Sequence, residues 1–433
     1  MTEPDVEGAP PPEPAAPPSL LESLVPVAAD WAAGEAAEDR LAGWGAATGT
    51  LADLARWVGT VRPGEAPFQR IRLVAFAADH GVIERAAAEG AATEGAAAAR
   101  ALLAGEGALP LLARRADVSI RLVDAGLAGE PLPGDVSARR VRAGSPPVER
   151  HDPLTPDEVE AALDLGARVA DEEVDAGADL VIPVVLTESA IVPATVLIGA
   201  LCETEPVKAL GYDAYVPDAV WIARCAAVRD GMYRVARAAA TLATRRLLAI
   251  GGGADLAAAA GFLVRTAARR TPALLDGIGV AAAALVARAL APDAPGWWCA
   301  PHASGRAGEK QAFAALKLRP AVELGVRLGD GAAALLMLPL LAAAVELTAS
   351  APRVPTSEPE PVVVLDPDEV IGGVSGYDAG PRAPDPEPPT DDPASVDPAL
   401  VDPDDPLAVD PEPPAARPAV PVQPGDGVAP SGG

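Results

Sequence analysis

The chain holds few of the residues on which metal and thiol chemistry is built: three cysteines and three histidines in 433 residues. Cys202, Cys225 and Cys299 are odd in number and show no paired spacing. That argues against a disulfide framework or a cysteine-ligated zinc site and for a reducing, cytoplasmic compartment. HExxH, CxxC and clustered-carboxylate patterns are missing, so no metal and no cofactor is implied. GxSxG, a Walker A loop and a complete GxGxxG are missing as well. Basic residues are scarce, 34 against 61 acidic, for a net charge of −27. Such a chain repels phosphate backbones and anionic lipid, so neither nucleic acid nor a membrane surface is an expected partner, and an anionic substrate must find local donors. The apolar run Gly331–Val345 stops short of the ~20 residues a membrane span needs. Asp330 and Glu346 bracket it, and it reads as a buried helix. The acidic, proline-rich N-terminus has no basic or apolar region of the signal-peptide kind, so none is expected.

Proline and acid are abundant, and unevenly placed. Residues 1–19 and 351–433 hold 28 of the 48 prolines, and the second stretch carries 17 acids against three arginines, about half of the whole charge. Runs such as Asp-Asp-Pro and Pro-Glu-Pro-Pro offer no apolar periodicity and few backbone donors, so both ends are expected to be disordered. Residues 20–350 are rich in Ala, Leu and Val, enough for one large core. Short apolar stretches, each followed by a helical pattern, recur at Ile71–Ala78, Ser119–Val123, Leu180–Leu186, Arg246–Ile250, Pro272–Leu275 and Trp297–Ala300. This repetition predicts an α/β domain, a mainly parallel sheet flanked by helices in a Rossmann-like, three-layer arrangement. Residues 20–65 form a smaller helical subdomain which, with helices near 155–178, makes a cap or packing layer. Gly129 to Arg150 reads as a long surface loop.

Function in such sheets collects past the carboxyl ends of the strands. Asp79-His80-Gly81, Asp124-Ala-Gly126, Gly251-Gly252-Gly253-Ala-Asp255, Asp276-Gly-Ile-Gly279, His302-Ala-Ser304 and Arg327-Leu-Gly329-Asp330-Gly331 stand at those ends. Gly251–Gly253 is either an anion cradle at a helix start or a tight turn with Asp255 serving the first helical turn. Asp276-Gly-Ile-Gly279 has the same two readings. Asp330 opens an apolar helix, where burial raises a carboxyl pKa and the helix N-terminus lowers it. It is either a general base or an N-cap. His80 and His302 are satisfied polar residues or part of the chemistry. The residues alone thus give an α/β protein whose strand ends suit a phosphorylated small molecule.

In order and content these segments resemble the nicotinate-nucleotide:dimethylbenzimidazole phosphoribosyltransferase family of cobalamin lower-ligand assembly. The pieces are Phe76-Ala-Ala-Asp-His-Gly-Val82, Val123-Asp-Ala-Gly-Leu127, Gly252-Gly-Ala-Asp-Leu256 with Gly261, Leu275-Asp-Gly277, His302-Ala-Ser304 with Gly308, and Arg327-Leu-Gly-Asp-Gly331. The resemblance implies phosphoribosyl transfer from nicotinate mononucleotide to 5,6-dimethylbenzimidazole, in a cytoplasmic homodimer. Asp330 then stands at the general-base position, where the family motif has glutamate. Asp79, His80, Arg224, Gly251, Gly252, Gly253, Asp276, His302, Ser304 and Gly329 are the implied substrate-binding residues, with Lys208 a further phosphate candidate. Departures are sharp. The family's Gly-Glu-Met-Gly-Ile-Gly-Asn-Thr-Thr loop falls on Val184-Val-Leu-Thr-Glu-Ser-Ala-Ile-Val192, and Gly-Arg-Gly-Thr-Gly on Gly211-Tyr-Asp-Ala-Tyr215, with the lysine downstream of it on Arg224. The glutamate of His-x-Ser-x-Glu becomes Arg306, and the histidine after it Glu309. The alternative is therefore a catalytically degenerate homologue that binds a nucleotide or aromatic base, or a cobalamin-related assembly or regulatory subunit.

Overall fold

The computed structural model describes residues 26, 28–45, 48–64, 67–81, 94–238, 243–328 and 330–352. The expected disordered ends lie outside these residues save for 351 and 352, as does Gly329. Five strands form one wholly parallel sheet: β1 Ile71–Ala78, β2 Ser119–Gly126, β3 Leu180–Val185, β4 Ala273–Leu274 and β5 Trp298–Cys299. Their order is β2-β1-β3-β4-β5, so the topology reverses between β1 and β3, which opens a crevice at the carboxyl ends there. The helices are α1 Trp31–Leu41, α2 Thr50–Val61, α3 Glu94–Leu103, α4 Ala108–Arg115, α5 Pro156–Asp175, α6 Ile191–Leu201 and α7 Pro206–Leu210. They continue with α8 Asp218–Ala238, α9 Thr244–Gly251, α10 Ala254–Ala268, α11 Ile278–Leu290, α12 Ala307–Leu316 and α13 Ala332–Ser350.

Strand periodicity divides the core. Val74, Phe76, Val181 and Val185 point into one layer with α5, α10 and α11, whereas Leu73, Ala75, Ile182 and Val184 point into another with α2 and α13. Apolar residues thus cover both faces, as a buried parallel sheet requires. In the first layer Phe76 meets Phe262 edge to face at 5.5 Å. Helix α5 starts on a capping box between Thr155 and Glu158 with Pro156 in its first turn, which satisfies the free N–H groups there. It packs backbone to backbone on α10: a Cβ on Gly166 would lie 1.8 Å from the Ala258 carbonyl oxygen, and one on Gly261 2.1 Å from that of Leu163. Of the two roles expected for it, cap or packing layer, α5 thus takes the second, sharing one layer on the sheet with α10 and α11. Helices α1 and α2 sit against α13, and the Trp44 indole N–H donates to the Leu347 carbonyl at 2.9 Å. Residues 129–150 carry neither helix nor strand beyond a single bridge at Ser145. By length and hydropathy Ala332–Ser350 and Gly95–Arg115 could each cross a bilayer. The first is the core helix expected from the apolar run, with Leu335, Met337 and Leu341 buried.

One expected strand is a helix. Arg246–Ile250 belongs to α9, buried from Leu247 to Gly251. A five-residue apolar run cannot show whether its period is 2 or 3.6, and Leu, Ala and Arg favour helix. β4 pairs directly with β3 at Val181 and Ala273. Gly251–Gly253 therefore joins two helices instead of leaving a strand.

Candidate active site at the carboxyl edge of the sheet

Loops after β1, β3, β4 and β5 meet here. The β1 and β3 loops are tied together: the Thr187 hydroxyl donates to the Ala78 carbonyl at 2.7 Å, and the His80 N–H to the Ser189 hydroxyl at 3.4 Å. His80 is buried, with Nε2 3.1 Å from both carboxylate oxygens of the fully buried Asp255. Gly253 makes room for this pair, since a Cβ there would fall 2.2 Å from His80 Cε1. Gly251 and Gly252 are closed in by Val196, Val235 and Leu248. Packing alone accounts for glycine at all three positions. Asp79 accepts from the Ala128 N–H at 2.8 Å, and its other oxygen is buried without a partner. Asp124 is structural, holding Leu127 N–H, the Ser137 hydroxyl and the Arg140 guanidinium.

The loops after β4 and β5, with the turn before α13, bring three carboxyl groups together. Asp276 is buried and accepts from the backbone N–H groups of Gly331, Ala333 and Ala334, the last at 2.9 Å. Desolvation still pushes its pKa up to about 6. Glu309, in the first turn of α12 and 1% exposed, accepts from Gly277 N–H at 3.1 Å, from Ser304 N–H at 3.2 Å and from the Ser304 hydroxyl. Burial and the neighbouring Asp276 raise it to about 7, against Arg306 and its donors. Asp330 stands well above the ordinary carboxyl value, first through desolvation, then through Asp276 and Glu309, with Arg306 and the Gly279 N–H opposing. A carboxyl group so placed can hold or take a proton near neutral pH. His302 is fully buried with both ring nitrogens unpartnered, and burial keeps its pKa low despite Glu323.

Asp330 forms one wall of a cleft of about 100 Å³, whose other walls are Val185–Glu188, Ala190, Ile191, Ile278, Gly279 and Arg306. The segment that has lost its glycines thus borders an open cleft instead of filling it. It does so as a 3-10 turn, Glu188–Ala190, leading into α6, and none of its residues takes a positive φ. Arg224 lies across from it, Nη2 being 3.6 Å from Glu188.

Asp276, Ser304 and Asp330 are therefore brought together, with Arg224 on the adjoining rim. His80 is one loop away, Gly251–Gly253 lies behind it, and Gly329 falls outside the described residues. Lys208 is exposed and paired with Glu205 at 3.0 Å. Sequence reasoning missed Glu309 as a member of the cluster and Asp213 as a partner of two arginines; the one signal for Glu309 was its departure from the family motif five residues after Ser304.

A family model described as phosphoribosyltransferase matches residues 28–354. The nicotinate-nucleotide–dimethylbenzimidazole phosphoribosyltransferase of Mycobacterium marinum is 43% identical over 322 residues, 74% of this chain and 89% of that protein. The enzyme of the same name from Mycobacterium tuberculosis is 42% identical over 327 residues, 75% and 90% of the two chains. Among solved structures, CobT from Thermus thermophilus superposes with a TM-score of 0.65 at 28% identity, covering 74% of this chain and 96% of its own. Because the matched segment carries the whole sheet together with Asp276, Glu309 and Asp330, the resemblance read from the motifs is one of descent, and the chain belongs to the nicotinate-nucleotide–dimethylbenzimidazole phosphoribosyltransferase family.

Proposed function

We propose that this protein transfers the phosphoribosyl group of nicotinate mononucleotide to 5,6-dimethylbenzimidazole, yielding α-ribazole 5′-phosphate and nicotinate for the cobalamin lower ligand. The observation that carries the reading is the Asp330 carboxyl group, raised in pKa and set in the wall of a cleft beside the apolar side chains of Val185, Leu186, Ile191 and Ile278. Val185, Leu186, Ile191 and Ile278 suit a flat aromatic base, and Asp330 suits its N–H. In the reaction the bond from C1′ to the pyridinium nitrogen breaks, its electron pair staying on the departing neutral ring. An imidazole nitrogen of the incoming base bonds to C1′ from the opposite face, and the proton on its other nitrogen passes to Asp330. Asp276 and Glu309 keep that carboxyl basic enough to take it. Ser304 orients Glu309, and His80 with Asp255 supports the β1 loop against the β3 loop. The cytoplasmic setting and the homodimer belong to this proposal, the latter checked by sedimentation.

Purified protein given both substrates should release nicotinate, and Asp330→Asn should abolish release while dimethylbenzimidazole still binds. Absence of release at enzyme excess, with no calorimetric binding of the mononucleotide, would sink the assignment.

A further inference from the structure

Beside the Asp330 cleft lies a second depression that shares Ile191, Ile278 and Arg306 with it. Three arginines face it: Arg224, Arg306 and Arg327. Their acidic partners are few and distant. Asp213 is shared, 3.4 Å from Arg306 and 3.3 Å from Arg327, and Glu188 is 3.6 Å from Arg224. Most ion pairs elsewhere among the described residues are closer, as at 2.7 Å between Arg140 and Asp124 and 2.8 Å between Arg265 and Asp171, the usual length for a charge-assisted bond. Three guanidinium groups thus converge on two loosely held carboxylates, in a chain whose net charge is −27.

We propose that Arg306 and Arg327, with Arg224, bind the ribose 5′-phosphate of the nucleotide, and that Asp213 spaces the two guanidinium groups until the phosphate replaces it between them. This rests on the substrate reading above. The family's glycine-rich loops are gone from 184–192 and 211–215, and packing closes Gly251–Gly253, so side chains must supply the donors that backbone would otherwise give. Arginine forks match a phosphomonoester better than a single carboxylate does, offering parallel donors to a dianion with three oxygens. Arg306, which stands where the family motif has an acid, lines both depressions. A nucleotide can therefore reach from these arginines to Asp330.

The test compares nicotinate mononucleotide with its dephosphorylated riboside as donors, by kcat/KM, in the full-length protein and in Arg306→Ala, Arg327→Ala and Asp213→Asn. Each arginine variant should lower the preference for the phosphorylated donor about tenfold or more, the worth of a charged hydrogen bond. Asp213→Asn should lower the KM for the mononucleotide with kcat little changed, because a competing anion is gone; an aspartate that merely holds its loop would raise it. Arginine variants that lose both donors equally, or an Asp213→Asn variant with weaker binding, would overturn the site. Should Arg306→Ala fail to fold, Arg306→Lys keeps the charge without the fork and should show a smaller loss of the same preference; an unchanged preference counts against the site. If the native protein turns over neither donor, the transferase reading fails by itself, and calorimetry with the mononucleotide competed by inorganic phosphate decides the site: binding lost in Arg306→Ala supports it, and binding that is equal in the variant or missing in both refutes it.

Discussion

Asp276 and Asp330 cap each other's helices. Asp276 lies two residues before α11 but accepts from the first N–H groups of α13, and Asp330 lies two residues before α13 but accepts from Gly279 in α11. The exchange places two carboxyl groups side by side, each pushed up by burial and drawn down by backbone N–H groups at a helix N-terminus, with the charge of Asp276 raising Asp330 further. A base that must be deprotonated to act gives a rate that rises with pH through its own pKa. Asp276→Asn removes one of the charges raising Asp330, so the acidic limb of kcat/KM should move to lower pH. An unmoved limb would show that the base titrates independently of its neighbour.

Gly277 is what allows the exchange. Its φ is +113°, and a Cβ there would meet the Asp330 carboxyl carbon at 2.0 Å. Gly277→Ala combines a left-handed strain of ~1–2 kcal/mol with displacement of the base. Turnover should fall at least about tenfold at temperatures where the variant remains folded by circular dichroism. A variant that melts lower yet keeps its kcat would mean that Asp330 tolerates relocation.

Much of the fold was readable because its signals are local. β1 spans Ile71–Ala78, the very residues of the apolar stretch, and α5, Pro156–Asp175, falls in the helical region expected near 155–178. What escaped was set by distant partners. In the α9 run the residues after Arg246 are all buried, and four apolar positions are too few to reveal a period. Asp330 looked like a cap for its own helix because nothing in the chain nearby tells that Asp276, 54 residues earlier, takes that place. Glu309 reads as an ordinary acid in a first helical turn until the fold sets it on the N–H of Gly277.

His80 illustrates the same dependence on distant partners, and its role is separable from proton transfer at Asp330. Its Nε2 lies 3.1 Å from both carboxyl oxygens of Asp255, 175 positions away and wholly enclosed. Removing His80 leaves a buried carboxyl group short of its side-chain partner, at a cost of about 1–3 kcal/mol. Denaturant unfolding of His80→Ala should show that loss. A change under about 1 kcal/mol would mean the Leu256 N–H, 2.8 Å from Asp255, satisfies the carboxylate well enough alone.

The carboxyl cluster also makes stability fall as pH rises. Glu309 is raised in the folded protein from the ordinary 4.5 to about 7, so between those values the folded state binds more protons than the unfolded one. Its contribution is fully present below pH 4.5, declines as pH climbs, and is gone above about pH 7. The loss from this residue is of order 3 kcal/mol, and Asp276, raised to about 6, adds in the same direction. Glutamine cannot ionise, so Glu309→Gln should unfold with a flatter pH dependence, losing about 2 kcal/mol less than the native protein between about pH 5 and pH 8. The readout is the slope, since the amide satisfies Gly277 and Ser304 less well and lowers stability at every pH. Parallel curves for the two proteins would mean that Glu309 is ionised throughout, and with it the proton-holding cluster around Asp330 would lose its basis.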